Sequence, residues 1–324
     1  MRVELRRGGY LESVHQVEAA VVGSDGVAWA TAGAAGCVTF MRSAAKPFQA
    51  IGLITSGAAD HFHFADEELA LAAASHYGEP VHTRVVSGML EKIHLSKDAL
   101  RCGAHAPYDK QAAAALVGPP SALHSNCSGK HAAMLAQCVQ AGWDLEYLPI
   151  DHPLQQRNLD TVAAFSGVLP SSIELGVDGC GVPTFRLPLT AIAQAFLSLV
   201  HPAGQDGGMA EAAGRICHAM TSHPRLVGGS GVFGSDLMAA GHGQIVAKGG
   251  AEGLLGIGVR DRQLGIALKV VDGSARALDV AAMAVLDQFH LLDAQASQRL
   301  ASHRQPPVTN VAGRVVGELV AVLP

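Results

Sequence analysis

Charge is what this sequence has least of. Asp, Glu, Lys and Arg make up 16% of its 324 residues, against about a quarter in an average soluble chain. What remains leans acidic: 23 Lys and Arg stand against 28 Asp and Glu, for a net charge of -5. A nucleic-acid binder would carry a basic surplus or stripe, and a membrane-surface protein a polybasic cluster; neither is present. Long apolar runs are missing as well. Mean hydropathy is high, at +0.24, yet the uncharged stretch 187–205 is broken by Pro188, Thr190, Gln194, His201 and Pro202. A spanning helix needs roughly 20 mainly apolar residues. The N-terminal residues carry charge where a signal peptide would carry an apolar core. Cysteine is sparse and scattered, at six residues with no paired CxxC, which fits reduced thiols better than a disulfide framework. A cytoplasmic protein is expected.

The pattern that is there predicts mixed architecture. Residues 17–22 and 27–30, joined across Ser24-Asp25-Gly26, read as a hairpin with an Asp-Gly turn, and 37–41 as a short strand. Residues 44–54 read as a helix, with Ser43 as its cap and Pro47 tolerated near the first turn. Further helices are expected at 66–75, 132–139, 160–165, 189–200 and 276–289, and strands at 244–247, 254–259, 264–271 and 314–322. Strands at both ends and helices between them imply one antiparallel sheet shared by the two termini, with a helical lobe over it. The length suggests about two units of roughly 150 residues, but no linker separates them. The expected organisation is one unit of two interleaved lobes, residues 1–60 with 225–324 forming the sheet lobe and 61–224 a mainly helical one. No GxGxxG or Walker loop follows a strand, so nucleotide binding is not expected.

Several short motifs have the chemistry of a site. In Ser43-x-x-Lys46 a hydroxyl and an amine three residues apart share a helix face, and a lysine whose pKa is depressed can take a serine's proton. The bland alternative is a cap serine and a surface lysine; against it, lysine occurs only seven times and this is its one Ser-x-x-Lys. Ser125-Asn126-Cys127-Ser128-Gly129-Lys130-His131 gathers a thiol, an amine and an imidazole at a loop-to-helix junction. Asp178-Gly179-Cys180-Gly181-Val182-Pro183 sets a cysteine in a glycine-flanked turn. Cys127, Cys180, Lys130 and His131 together have zinc-type donors, although two buried thiols are the ordinary reading, and a cysteine nucleophile with His131 or His76 as base is a further option. Ser75-His76-Tyr77-Gly78-Glu79 ends the alanine-rich helix, and Lys248-Gly249-Gly250 follows a strand, where glycine permits close backbone approach.

Arg42-Ser43-Ala44-Ala45-Lys46-Pro47-Phe48-Gln49, the 125–131 segment and Val177-Asp178-Gly179-Cys180-Gly181-Val182-Pro183 closely resemble the Rhizobium etli-type L-asparaginases, also called class 3 asparaginases or the asparaginase II family. The resemblance runs in order along nearly the whole chain. It implies the fold of the serine β-lactamases, penicillin-binding proteins and serine-type glutaminases, in agreement with the layered α/β reading. It also implies two Ser–Lys pairs, Ser43 with Lys46 and Ser75 with Lys248. One zinc ion per chain would be held by Cys127, Lys130 and Cys180. Substrate contacts are expected from Arg42, His76, Asp178, His131, Gly249 and Gly250, with Asp178 and His131 also candidates to support the metal.

The activity implied is hydrolysis of L-asparagine to aspartate and ammonia through a Ser43 acyl-enzyme. Lys46 is its base, kept neutral in part by Lys248, and Ser75 relays protons between the lysines. A homodimer is expected. Two other readings stay open: a related serine amidohydrolase acting on glutamine or a β-lactam, and a catalytically silent zinc or amino-acid binding protein.

Overall fold

The computed structural model describes residues 1–324. It is a mixed helix and antiparallel-sheet protein, 46% helical and 21% strand, and no helix is long and apolar enough to cross a membrane. Eleven strands form two sheets. β1 (Arg2–Arg7), β2 (Tyr10–Gly23), β3 (Gly26–Ala30), β7 (Ile245–Gly250), β8 (Leu254–Val259), β9 (Leu264–Val270), β10 (Val308–Thr309) and β11 (Val315–Val322) make the larger one. Its order is β10-β11-β1-β2-β9-β8-β7, with β3 also paired to β2, and every pairing is antiparallel. The chain's two ends therefore share one sheet, as the sequence predicts. β1 escaped the sequence reading because charge hides its alternation: Glu4 is buried beside Val3 and Leu5, clasped by Arg2 and Arg6.

The smaller sheet differs from expectation. β4 (Val38–Phe40), expected as a short strand of the sheet lobe, instead pairs with β6 (Pro183–Pro188), which pairs with β5 (Glu174–Val177). The central part of the chain is thus not purely helical. The β5–β6 hairpin presents Cys180 at its tip, and β4 runs directly into the turn that carries Ser43. A backbone bond from Met41 N–H to Phe185 C=O (2.8 Å) continues that pairing to the turn.

The helix Leu189–Val200 lies across the large sheet, apolar nearly all round and mostly buried. Its close approach needs glycine beneath it. A Cβ built on Gly265 would lie 2.0 Å from the Ala193 carbonyl oxygen, and one on Gly256 would lie 1.9 Å from the Phe196 ring. Phe196 packs edge-on against Phe48 (5.4 Å between centroids), and Phe48 meets Phe165 (5.6 Å). Phe48 belongs to the helix Lys46–Thr55, and Phe165 to Pro153–Ser166. One continuous apolar core therefore runs from the sheet into the helical layer, and the helix that starts at Lys46 passes through it. Gly265→Ala is expected to destabilise by about 1–3 kcal/mol, because backbone, unlike a side-chain tip, cannot yield. Urea denaturation checks this, and an unchanged midpoint contradicts the packing account.

Candidate active site

Three segments distant in sequence deliver the two Ser–Lys motifs to one place. Ser43 lies in a 3-10 turn, Arg42–Ala45, and the α-helix starts only at Lys46, with Ala45 as its cap residue. Ser43 is therefore not the helix cap that the sequence suggested. The turn enters through Arg42, whose φ of 48° is left-handed, a conformation that costs a non-glycine residue of order 1 kcal/mol or more. Arg42 is fixed there by its own N–H bond to Thr184 Oγ1 (3.1 Å) and by its Nε, which donates to Asp178 Oδ1 at 2.7 Å.

Ser75 likewise sits off the helix predicted for it. Asp66–Ala72 is helical, and the chain then leaves as an extended segment, with Ser75 N–H bonded to Val227 C=O (2.9 Å) and Tyr77 N–H to Gly228 C=O (2.8 Å). Lys248 comes from β7. Two residues on, a Cβ at Gly250 would meet the Met41 carbonyl oxygen at 2.7 Å. Only glycine lets the strand edge lie this close to the Ser43 turn.

The lysines meet on Ser75. Lys46 Nζ donates to Ala74 C=O (2.7 Å), Ser75 Oγ (2.9 Å) and Asn126 C=O (3.3 Å), and Lys248 Nζ lies 2.9 Å from the same Ser75 Oγ and 2.8 Å from Gly249 C=O. Both amines are buried, Lys46 fully and Lys248 at 4% exposure. Burial, reinforced by the positive charge of Lys46, holds the Lys248 amine well below the ordinary lysine range. The neutral-amine direction thus falls on Lys248. Lys46 faces three acceptors, which matches the three donors of an ammonium. Ser43, Ser75, Lys248, Gly249 and Gly250 wall a cavity of about 450 Å³, together with Asn126, Tyr77, Tyr108 and Asp279.

Beside this pair lies the second cluster. Lys130 Nζ donates to Cys180 Sγ at 3.0 Å, and the Cys127 thiol donates to Asn126 Oδ1 at 3.3 Å, with Cys127 and Cys180 acting directly on each other's titration. Lys130 and both cysteines are buried. Cys127 is drawn well below the usual thiol range, first by its interaction with Cys180 and then, against burial, by the charges of Lys46 and Lys130. Cys180 is pushed up by the same interaction and by burial. Lys130 is raised because the charges of Cys180 and Cys127 outweigh its burial. The donor set fits zinc, which takes sulfur and nitrogen ligands and in open sites leaves a fourth position. No three His, Cys, Asp or Glu side chains are arranged to hold a metal ion, so a metal here would depend on the lysine.

Four expected substrate residues do not reach the cavity wall. His76 is fully buried, accepting from Gly78 N–H at Nδ1 (3.2 Å), facing Ser128 Oγ with Nε2 (2.8 Å) and stacking on His82. Burial, with the neighbouring His82 next, holds it well below the ordinary histidine value. His131 is fully buried on the helix Ser128–Ala141, bonded through Nδ1 to the Tyr147 hydroxyl (2.8 Å). Arg42 and Asp178 pair with each other, so they tie the Ser43 turn to the Cys180 hairpin. Glu79, quoted in the sequence without a role, accepts from Ser230 N–H (2.8 Å) and from Arg225. It thereby fixes the glycine-rich loop whose Gly228 and Gly231 wall the cavity. Asp279 had no motif around it, and only the fold brings it to the site.

With the geometry in place, the family follows. The model of the family described as L-asparaginase II matches residues 3–321. The chain belongs to that family. As a member it is an amidohydrolase of the asparaginase type. A search of curated proteins returns no significant match. Among solved structures, the chain is similar to a Bacteroides dorei DSM 17855 protein provisionally assigned as a beta-lactamase. Identity is 12% and the TM-score 0.44, over 85% of this chain and 94% of that one.

The Arg42–Asp178 tie has a measurable signature. Burial pushes the Asp178 carboxyl up, but the Lys130 charge, the Arg42 hydrogen bond and the Gly179 N–H together hold it below the ordinary value. A carboxyl with a lowered folded pKa contributes stability that is complete above its unfolded value, about 3.9, and is lost as pH falls through the folded one. Arg42→Met is expected to reduce stability at pH 7 by about 1–3 kcal/mol and to flatten the acid-side loss. Equal acid profiles for the two proteins in thermal melts contradict the assignment.

Proposed function

We propose that the chain hydrolyses the side-chain amide of L-asparagine, giving aspartate and ammonia through a Ser43 acyl-enzyme. The observation that carries this reading is the double lysine contact on Ser75, inside a cavity that Ser43 also walls. Two buried amines joined by one hydroxyl hold a proton that can pass between them. With Lys248 neutral, Ser75 donates to Lys248 and accepts from Lys46. Transfer along that path leaves Lys46 as the free base, three residues from Ser43 in the chain, and Lys248 as the ammonium. Lys46 then takes the Ser43 proton as the hydroxyl oxygen attacks the amide carbon. The tetrahedral oxyanion is assigned to backbone N–H groups at Ser43 and on β7 after Lys248, donors of a kind worth about 10²–10³ each in rate. Collapse expels ammonia, protonated from the lysine pair, and water activated by the same pair cleaves the β-aspartyl ester.

Cys127, Lys130 and Cys180 are proposed to hold one zinc ion, which would supply positive charge for an anionic substrate group. The ordinary role of Arg42 and Asp178 in this scheme is to keep the Cys180 hairpin against the Ser43 turn. A homodimer in the cytoplasm remains the expected setting. A second reading, with Ser75 as nucleophile, is favoured by its direct bonds to both amines. Acid-quenched mass spectrometry of the aspartyl-enzyme separates the two, since the adduct falls on the peptide that contains either Ser43 or Ser75.

The expected assay result is ammonia release from asparagine, reduced about a thousandfold or more in Ser43→Ala. Retained activity in that variant overturns the nucleophile. Because the base must be neutral, kcat/KM is expected to rise with pH through a value below the ordinary lysine pKa of about 10.4; a rise only at that ordinary value contradicts the paired-amine account. Glutamine and a β-lactam in the same assay test the related hydrolases, and tight aspartate binding without turnover would mean a silent binding protein.

For the metal, protein purified without added metal is expected to contain close to one equivalent of zinc. The Cys127→Ser, Cys180→Ser double variant is expected to contain none. Zinc uptake by the apo protein should release protons, because its ligands must be deprotonated to bind, so affinity falls as pH falls. Zinc that persists in the double variant overturns the ligand set.

A further inference from the structure

We infer that Asp279 anchors the α-ammonium group of the substrate, with His303 as its positioning residue, so that the cavity selects free α-amino acids over amides lacking that charge. The inference rests on the asparagine reading of the cavity and goes on to the chemistry of recognition. Among the residues that wall the cavity, Asp279 is the one carboxylate and Lys248 the one amine. The amine belongs to the Ser43 and Ser75 machinery, which the amide must reach. A zwitterionic amino acid needs an anion elsewhere in the same space, and only Asp279 offers it.

Asp279 sits in the first turn of the helix Leu278–Gln288, with its side chain 37% exposed. It is not adrift. His303 Nδ1 lies 3.1 Å from Asp279 Oδ2, and His303 Nε2 lies 2.8 Å from Asp236 Oδ2. A ring that faces a carboxylate at each nitrogen can donate to both only as the imidazolium. Accordingly His303 is raised above the ordinary histidine value, chiefly by the Asp279 hydrogen bond, with burial opposing. Two carboxylates and one imidazolium leave the cluster one net negative charge for a cation. Asp279 Oδ1 has no protein partner, and it is the oxygen open to a ligand. The His303 ring packs against Phe233 (5.1 Å between centroids), which also walls the cavity. Across the space, the Tyr77 hydroxyl is raised by burial and then by the Asp279 charge. Tyr77 is two residues beyond Ser75, so the carboxylate's field reaches the catalytic side.

The test compares asparagine with succinamate, the same amide with hydrogen in place of the α-ammonium group. Wild type is expected to prefer asparagine in kcat/KM. Asp279→Asn is expected to lower kcat/KM for asparagine by about ten- to hundredfold, the range of a hydrogen bond to a charged group. That loss should fall mainly in KM, with succinamate changed by less than about threefold. His303→Gln should weaken asparagine in the same sense and by less, again sparing succinamate. An equal effect on both substrates, or an unchanged KM for asparagine in Asp279→Asn, overturns the inference. Calorimetric binding of aspartate and succinate to the same proteins reads the same contrast without turnover. If wild type hydrolyses neither amide, the asparagine reading fails, while the aspartate-to-succinate contrast still decides Asp279.

Discussion

Two buried lysine amines that share one hydroxyl work against each other's charge. Unit charges about 5 Å apart repel by roughly 3 kcal/mol at an effective dielectric constant of about 20, and burial penalises the charged forms further. In the proposed mechanism the pair Lys46–Ser75–Lys248 holds one proton fewer than two free lysines would. That deficit is what would supply the proposed mechanism with a base without a histidine. His76 and His131, the nearest imidazoles by motif, are locked into hydrogen bonds away from the cavity, and the chemistry does not need them.

The rest of the architecture serves to hold that deficit in place. The helix that starts at Lys46 passes through the core by way of Phe48, so the amine at its first turn has no freedom to reach water. β7 is an edge strand of the large sheet and carries Lys248 inward, and Gly250 allows that edge to touch the Ser43 turn. The small sheet, β4-β6-β5, links the same turn to the Cys180 hairpin, and the Arg42–Asp178 pair closes the link. Through it the sulfur cluster and the lysine pair communicate electrostatically: the Lys46 charge helps draw Cys127 down, and the charges of Lys46 and Lys130 help draw Lys248 down.

How much of this was readable beforehand depended on whether a residue's role is local. The shared terminal sheet, the helix Leu189–Val200 and β8 follow from apolar pattern alone. Ser43, Lys46, Ser75, Lys248, Cys127, Lys130 and Cys180 stand in compact motifs, and the fold gathers them. Errors arose where long-range contacts override local signals. Ser43 looks like a helix cap, yet β4 pairing and the left-handed Arg42 make it part of a 3-10 turn. Ser75 looks like a helix end, yet backbone bonds to the 227–228 segment pull it into extended form. His76 and His131 sit inside the right motifs and face the wrong way, which no spacing rule reveals. Asp279 and His303 are a single acid and a single histidine in ordinary sequence. Only tertiary packing brings Asp279 to the cavity and His303 to Asp279, so pattern reading had no signal to use.

The most direct measurement of the central claim is the protonation of the lysines themselves. With seven lysines in the chain, selective carbon-13 labelling at Cε gives a spectrum simple enough to titrate by nuclear magnetic resonance. The account predicts one lysine that is neutral well below the ordinary value of about 10.4, whose signal disappears in Lys248→Met and whose titration moves up in Lys46→Met. Seven lysines that all titrate in the ordinary range would contradict it.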